Sequence, residues 1–321
     1  MKISKKITFI LFGLVLIFTL GACSQEGEVV EKDEENVDSK GYKVTLEDEY
    51  GKVELTEIPE KIVVFDYGIL DAINEMGYGD NVIGLPKSSV PEYLSKFKGD
   101  NYTDVGTLKE PNFEKIFELD PDLIIISGRQ ASKYDEFKEI SNTAYMAIDG
   151  ANYMESFKGN MNKLGKIFDD EEKIDNSIKE IEEKIKELNT MAEESNKTGL
   201  YILANDGELS VYGPGSRFGI LYDEFGIKPI DTDIESSSHG QKVSFEYILE
   251  KDPDILFVMD RSAIVGGDIS AKQTLDNDII KSTKAYKNEN IVYLDSPIWY
   301  VASGGIEATN KMIEDVTQAL K

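Results

Sequence analysis

The sequence is poor in the residues that cross-link chains or bind transition metals. Its 321 residues include one Cys, one His and one Trp. A single Cys excludes an internal disulfide, and one Cys with one His cannot form a protein-only transition-metal site. No nucleophile lies near a base in a spacing typical of a hydrolytic enzyme. The composition therefore excludes disulfide-stabilised and zinc-binding folds, and it indicates neither an enzyme nor an intrinsic cofactor.

Positive charge is also scarce. The chain has 35 Lys and Arg against 61 Asp and Glu, which gives a formal net charge of −26. No nucleic acid is expected as a partner, because binding to phosphates requires a basic surface. Arg129, Arg217 and Arg261 stand out against this background, since every other basic residue is Lys.

The N-terminal region has the pattern of an export signal. Three lysines precede an apolar run over 7–20, which is short for a membrane span and typical of a signal-peptide core. Leu20-Gly-Ala-Cys23 then resembles a bacterial lipobox. We predict a lipoprotein signal peptide over 1–22 and lipidation of Cys23; the alternative is a plain secretory signal with an incidental Cys. Residues 23–40 are acidic and poor in apolar side chains, which predicts a disordered tether.

Apolar spacing predicts a long helix in the middle of the chain. Over 169–196 the apolar side chains recur every three or four residues and the other faces are charged, so the helix is either an interlobe strut or an ordinary amphipathic surface helix. Asp169 followed by Glu172 predicts a capping box at its start. The stripe consists of Ile174, Ile178, Ile181, Ile185, Leu188 and Met191.

On either side of this helix, short apolar runs alternate with helical patterns. This alternation predicts α/β lobes with parallel sheets that are covered by helices. The predicted strands include a hairpin over 43–55 and a strand over 145–149.

An internal repeat relates the two sides of the long helix. Residues 113–129 align without a gap with residues 245–261, and eight of the 17 positions are identical at an offset of 132. Each copy has the pattern of a helix, an Asp-Pro-Asp break and a buried strand that ends near an Arg. The repeat predicts two Rossmann-like lobes, 41–168 and 197–321, joined by the single interlobe helix. A ligand cleft is expected between them, since ligands of open α/β sheets bind beyond the carboxyl ends of the strands.

The arginines lie where an anion site would need them. Arg129 and Arg261 follow the two repeated strands, and Arg217 ends a Gly-Pro-Gly-Ser loop. Arg retains its charge when desolvated and binds pairs of oxygens with its planar fork. We therefore predict a shared anion site, rather than three accidental positions in a Lys-rich chain. The loop matches neither a Gly-x-Gly-x-x-Gly nor a Walker pattern, so no nucleotide site is predicted.

Five further residues are candidates for the cleft. Trp299 and Tyr300 follow the last predicted strand, so they line either the core or the cleft, and we favour the cleft. Tyr67 and Tyr212 each end a predicted strand and are included among the ligand-binding candidates. His239 is by itself a weak candidate for a metal ligand, because a lone His is more often a surface residue.

Several of these features together resemble the substrate-binding lipoproteins of iron–siderophore ABC importers. They are the lipobox, the early hairpin, the two lobes, the long helix and the repeated Glu-x-Ile-x-x-x-x-Pro-Asp unit. The resemblance covers residues 41–321. The stretches 204–219 and 270–278 and the pair Trp299-Tyr300 are most similar to the petrobactin/catecholate branch of that family.

The resemblance implies a monomeric, lipid-anchored receptor on the extracytoplasmic face of the cell membrane. Such a receptor carries Fe(III) as a siderophore complex, with no cofactor of its own, and delivers it to an ABC permease. In the catecholate branch three arginines surround the ferric complex, and Arg129, Arg217 and Arg261 match them in position.

The resemblance also implies roles for four other residues. His239 and Tyr300 match residues that contact iron in relatives whose siderophore supplies only four donors. Glu114 and Glu246, again 132 residues apart, match the acidic residues, one per lobe, that dock to the permease. On sequence alone both glutamates could equally be ordinary solvated charges on helices.

The sequence alone is also compatible with other classes of protein. A receptor of the same class could take haem or a corrinoid, although these ligands are less anionic and would leave the three arginines in surplus. An extracytoplasmic enzyme would need a nucleophile or paired acids in the cleft. An adhesin or scaffold would not need arginines in register across a repeat.

Overall fold

The computed structural model describes residues 41–237 and 239–321. The predicted signal peptide, the predicted tether and Cys23 lie outside the described residues. Among the residues that are described, no helix is both long enough and apolar enough to cross a membrane.

The N-terminal lobe contains a hairpin followed by a parallel sheet. The hairpin pairs β1 (Val44–Asp48) with β2 (Gly51–Leu55) and confirms the one predicted over 43–55. The strands of the sheet are β3 (Ile62–Val64), β4 (Val82–Leu85), β5 (Thr103–Asp104), β6 (Leu123–Ile126) and β7 (Thr143–Tyr145). They run parallel in the order β5-β4-β3-β6-β7. The helices of this lobe are α1 (Tyr67–Glu75), α2 (Phe113–Leu119), α3 (Tyr134–Lys138) and α4 (Tyr153–Phe168).

The predicted position of the strand over 145–149 is wrong. β7 ends at Tyr145, and the side chain of Asp149 instead accepts a hydrogen bond from the backbone amide of Ala151 in a short 3₁₀ turn. Such a local side-chain bond offers the backbone an alternative to the sheet ladder. Residues 147–149 consequently lie along a cavity rather than inside the sheet.

The long helix α5 spans Glu171–Ser195, close to the predicted interlobe helix. Its buried side chains are those of the predicted stripe, except that Ala192 takes the place of Met191. The predicted capping box is wrong. Asp169 adopts a left-handed conformation (φ 52°) that ends α4, and the N-cap residue Asp170 makes no capping bond with its side chain. Because α4 and α5 follow each other almost directly, Asp169 acts as the end of one helix rather than the start of the next.

The C-terminal lobe contains a second sheet, which is mixed. Its strands are β8 (Thr198–Asn205), β9 (Glu208–Tyr212), β10 (Lys228–Pro229), β11 (Gln241–Val243), β12 (Ile255–Asp260) and β13 (Ile291–Tyr293). The order is β11-β9-β8-β12-β13, with β10 beside the start of β8. The helices are α6 (Ile220–Asp223), α7 (Phe245–Lys251), α8 (Ser262–Val265), α9 (Ala271–Leu275), α10 (Asp278–Lys281), α11 (Lys284–Lys287), α12 (Ser296–Val301) and α13 (Ile306–Leu320).

The expectation of a wholly parallel sheet is wrong for this lobe. β12 runs parallel to β8 and β13, whereas β9 runs antiparallel to β8 and β11. The cause is a two-residue turn at Asp206 and Gly207, where both residues have positive φ (54° and 86°). Turns of this kind join antiparallel strands because their twist matches that of the strands.

The internal repeat forms two equivalent helix–strand units. Asn112 caps the start of α2 and Ser244 caps the start of α7, each through a side-chain bond to a backbone amide. Asp120 and Asp252 end the same helices in the left-handed conformation, with φ of 48° and 46°. β6 and β12 then follow inside their sheets. Residues that are 132 apart therefore occupy equivalent positions in the two lobes.

One hydrophobic cluster runs through both lobes. Successive side chains of a strand point to opposite faces of the sheet. Ile125 of the first sheet and Phe257 of the second belong to one cluster, together with the apolar stripe of α5 and Met312 of α13. The opposite sheet faces pack into a separate cluster in each lobe. α5 is therefore part of a shared core, and the two lobes are packed together rather than merely tethered.

Candidate functional site

A cavity of about 630 Å³ lies between the lobes, beyond the carboxyl ends of their strands. The N-terminal lobe contributes the residues that follow β6 and β7. The C-terminal lobe contributes the loop before α6, the segment around His239 and the end of α12. The main lining segments are 127–129, 147–151, 215–217 and 300–301.

All three arginines meet on Tyr300. The carbonyl oxygen of Tyr300 accepts hydrogen bonds from Nη2 of Arg129 at 2.7 Å and from Nη2 of Arg217 at 3.2 Å. Its hydroxyl accepts a hydrogen bond from Nε of Arg261 at 3.1 Å. The Arg217 guanidinium also lies 4.3 Å from the centroid of the Tyr300 ring, within the range of cation–π attraction. The structure thus gathers three positive side chains around one aromatic residue.

The two repeat-related arginines do not play the same part. Arg129 and Arg217 are among the described residues that line the cavity, and Arg261 is not. Arg261 lies against the hydroxyl of Tyr300, and its Nη1 donates to Oδ1 of Asn205 at 2.7 Å. Arg261 therefore contacts Tyr300, which lines the cavity, whereas the other two arginines line the cavity themselves.

The charges make one wall of the cavity positive. Burial raises the pKa of the Tyr300 phenol, but the hydrogen bond from Arg261 and the charge of Arg217 outweigh it, so the pKa is lowered overall. Burial lowers the pKa of Arg129, and the charge of Asp66 opposes this. The guanidinium nevertheless stays protonated, as Arg does in proteins. The wall can therefore hold an anion.

His239 lies at the same cavity and is exposed. Its backbone amide donates to Oγ of Ser237 at 3.1 Å. Within residues 41–237 and 239–321, no group of three or more His, Cys, Asp and Glu side chains could hold a metal ion. His239 and Tyr300 therefore line one cavity without belonging to such a group.

Three aromatic candidates lie in the hydrophobic core instead of the cleft. Trp299 is 1% exposed, and its indole Nε1 donates to Oδ2 of Asp315 at 2.9 Å. Tyr67 is buried and donates its hydroxyl to the carbonyl of Pro86, and Tyr212 is buried against Tyr201 and Phe218. The predicted cleft positions of Trp299, Tyr67 and Tyr212 are therefore wrong. Adjacent residues of a helix point about 100° apart, so Trp299 faces the core and Tyr300 faces the cavity.

Asp66 lines the cavity and was not singled out from the sequence. It caps α1 by accepting hydrogen bonds from the backbone amides of Gly68 at 2.9 Å and Ile69 at 3.1 Å. Burial raises the pKa of Asp66, and the charge of Arg129 opposes this. Its position directly after a buried strand was the available signal, since strand ends are where site residues gather.

Glu114 and Glu246 lie outside the cavity lining. Both are exposed and occupy the first turns of α2 and α7. Hydrogen bonds from its own backbone amide and from Ser244 lower the pKa of Glu246. The two lobes therefore present acidic side chains at repeat-related positions on their surfaces.

A model of the periplasmic binding protein family matches residues 62–298. The petrobactin-binding protein YclQ of Bacillus subtilis is 44% identical over 319 residues, which cover 99% of each chain. Its crystal structure matches this fold with a TM-score of 0.85 at 47% identity, and covers 87% of this chain and 99% of that one.

Two further relatives are named for iron uptake and for binding of ferric anguibactin. The iron uptake ABC transporter substrate-binding protein PiuA of Streptococcus pneumoniae matches with a TM-score of 0.82 at 40% identity, over 86% of this chain and 98% of that one. The ferric-anguibactin-binding protein FatB of Vibrio anguillarum is 30% identical over 279 residues, which cover 85% of this chain and 86% of the relative.

Proposed function

The chain belongs to the periplasmic binding protein family, and we propose that it is an extracytoplasmic receptor for a ferric siderophore of the catecholate type. One observation carries the proposal: three arginines converge on Tyr300, which lines an interlobe cavity, in a chain of net charge −26. Relatives named for binding petrobactin and ferric anguibactin support it. The same relatives are binding proteins, which confirms the prediction that the protein is not an enzyme.

A ferric catecholate is the kind of anion that suits such a wall. Fe(III) held by catecholates and a hydroxycarboxylate has a net charge of about −3, which three guanidinium groups balance at short range in a medium of reduced dielectric. Guanidinium groups also donate to catecholate oxygens and stack on aromatic faces. Because the metal arrives inside its chelator, the protein needs no ligand cage of its own.

Haem and corrinoids are the competing ligands. They carry less negative charge and would leave part of the arginine charge uncompensated inside the cavity. Native mass spectrometry of the mature protein with ferric petrobactin, haem and a corrinoid decides between them. We expect a one-to-one complex with ferric petrobactin, and preferential binding of haem or the corrinoid would reject the catecholate proposal.

We propose that His239 and Tyr300 bind iron only where the siderophore leaves coordination sites open. His239→Ala and Tyr300→Phe are therefore expected to weaken a tetradentate ferric catecholate by about 10-fold or more and to leave a hexadentate one nearly unchanged. Tryptophan-quenching titrations with both ligands measure this. A Tyr300–Fe(III) bond should also add a visible charge-transfer band that Tyr300→Phe removes. Equal effects on both ligands, or none on either, would show that neither residue is an iron ligand.

We further propose that Cys23 is lipidated and holds the receptor at the cell membrane. Cys23→Ala is expected to move the protein from the membrane fraction into the soluble fraction, because the apolar anchor is lost. Affinity for ferric petrobactin should not change, since the described fold begins well after this residue. Fractionation and labelling with palmitate test the proposal; a mutant that still labels and sediments with membranes would contradict it.

The receptor is proposed to act as a monomer and to deliver its ligand to an ABC permease through Glu114 and Glu246. Their exposure and their repeat-related positions support this role. A helix that leads into a parallel strand begins near the carboxyl edge of the sheet, so both acids lie toward the side of the lobes where the ligand binds. One surface could then present the cavity and both contacts together.

A further inference from the structure

Asp71 of the N-terminal lobe caps a helix of the C-terminal lobe. α13 begins after Gly305, which provides no side-chain cap. Oδ1 of Asp71 accepts a hydrogen bond from the backbone amide of Glu307 at 3.1 Å, and Oδ2 accepts one from the amide of Ala308 at 2.8 Å. A helix start leaves four amides without intrahelical partners. Asp71 satisfies two of them from the other lobe, and its charge suits the positive end of the helix dipole.

Burial of the Asp71 carboxylate is unfavourable for the stability of the fold. It is fully buried, and its third partner is the hydroxyl of Tyr93 at 2.9 Å, so its three described hydrogen-bond donors are all neutral. Burial raises the pKa of Asp71 to about 7, and the hydrogen bonds from Ala308 and Glu307 oppose this. A buried carboxylate without a cation costs stability. Such a residue is better explained by the geometry that it imposes than by any stability that it adds.

The residues that lead into α13 pack closely against the N-terminal lobe. The amide of Gly304 donates to the hydroxyl of Tyr153 at 2.7 Å. A Cβ atom added at Gly305 would lie 2.6 Å from Cγ of Asp71, closer than real Cβ contacts occur. The segment 303–308 is therefore packed closely against Asp71 and Tyr153.

This segment continues directly from the ligand site. Tyr300 lies at the end of α12, and Ser303 lines the cavity. The three arginines donate to the carbonyl and hydroxyl oxygens of Tyr300. We propose that Asp71 is a positioning residue that holds Tyr300 among the three arginines by anchoring the turn that follows it. This inference deepens the proposed function, because it rests on the same arginine site.

Asp71→Asn is the direct test. The amide keeps the size of the side chain, but it replaces one acceptor oxygen with a donor that faces other donors. We expect the affinity for ferric petrobactin to fall by about 10-fold, the equivalent of one lost charged hydrogen bond. We also expect the pKa of Tyr300 to rise toward its ordinary value as the ring loosens from Arg217 and Arg261. An ultraviolet difference titration against the same protein carrying Tyr300→Phe measures that pKa without any ligand.

Asp231→Asn is the control. Asp231 is also a buried carboxylate that accepts from a tyrosine hydroxyl, that of Tyr247 at 2.7 Å, and from a backbone amide, that of Asp233 at 2.9 Å. Unlike Asp71, it also pairs with Nζ of Lys251 at 2.6 Å. It lies away from the segment 303–308. We expect Asp231→Asn to lower the thermal stability and to leave both the affinity and the Tyr300 titration unchanged. Tyr93→Phe, which removes a single donor to Asp71, should shift both readouts in the direction of Asp71→Asn by less.

The outcomes separate the two proposals. If Asp71→Asn only lowers stability, as Asp231→Asn does, and Tyr300 titrates as in the wild type, Asp71 is a structural residue and the positioning role is rejected. If Asp71→Asn does not fold, a wild-type titration and affinity in Tyr93→Phe reject it instead. If the wild type does not bind ferric petrobactin, the proposed function fails, while the Tyr300 titration still decides the role of Asp71.

Discussion

Replacing Arg129, Arg217 or Arg261 with Ala is expected to weaken binding of ferric petrobactin by about 10- to 100-fold each. Substitution of Arg129 or Arg217 removes a guanidinium that lines the cavity, and substitution of Arg261 removes the one that contacts the Tyr300 hydroxyl. Each substitution also releases one of the bonds that fix Tyr300. Arg→Lys should recover only part of the affinity, because Lys keeps the charge and loses the planar fork and the stacking. Tryptophan-quenching titrations provide the measurement.

The structure refines this expectation for Arg261. Since Arg261 contacts the Tyr300 hydroxyl and does not line the cavity, part of its effect should pass through that hydroxyl. In a double-mutant cycle with a tetradentate ferric catecholate, which Tyr300→Phe is itself expected to weaken, Arg261→Ala and Tyr300→Phe should therefore be non-additive. Lys158→Ala removes a positive charge from an exposed pair with Glu182 and serves as the control. Arginine variants that bind like this control would refute the anion site.

The double substitution Glu114→Ala and Glu246→Ala is expected to abolish iron uptake and leave the affinity for the ligand unchanged. The two side chains are exposed and outside the cavity, so their loss should leave the contacts of the siderophore intact. Growth on ferric petrobactin as the iron source, together with titration of the purified protein, measures both properties.

The repeat provides a matched control for this experiment. Glu118 and Glu250 are also exposed, lie on the same two helices and are also 132 residues apart. Glu118→Ala with Glu250→Ala removes the same charge from the same surfaces, and we expect uptake to continue. Normal uptake by the Glu114/Glu246 variant would remove the docking assignment, and equal loss in both variants would assign docking to the acidic surface as a whole.

Local patterns predicted most of the fold. The hairpin, the parallel strands of the N-terminal lobe and α5 follow from periodicity, which depends only on neighbouring residues. The antiparallel β8–β9 pair could have been predicted too, because Asp206-Gly207 between apolar runs is a strong hairpin signal. The start of α5 was harder to predict, since Asp169 can either begin a helix or end one, and only the helix before it decides.

The candidate site was predictable in part. Arg129 and Arg261 were identified because the repeat put both at strand ends. Tyr300 and Trp299 could not be separated, since the face of a short helix that meets the core depends on distant packing. The contact between Asp71 and Ala308 joins residues 237 apart, and no local pattern reports a pairing over that distance.

The hydrophobic cluster shared by both lobes limits how far the cavity can open. A wide hinge motion would expose Ile125, Phe257 and the stripe of α5 to water, at about 25 cal/mol for each Å² of apolar surface. Exchange of the ligand should instead use small movements of the loops around the cavity. Small-angle X-ray scattering should therefore give nearly the same radius of gyration with and without ferric petrobactin, and a clear decrease on binding would mean that the lobes separate in the free protein.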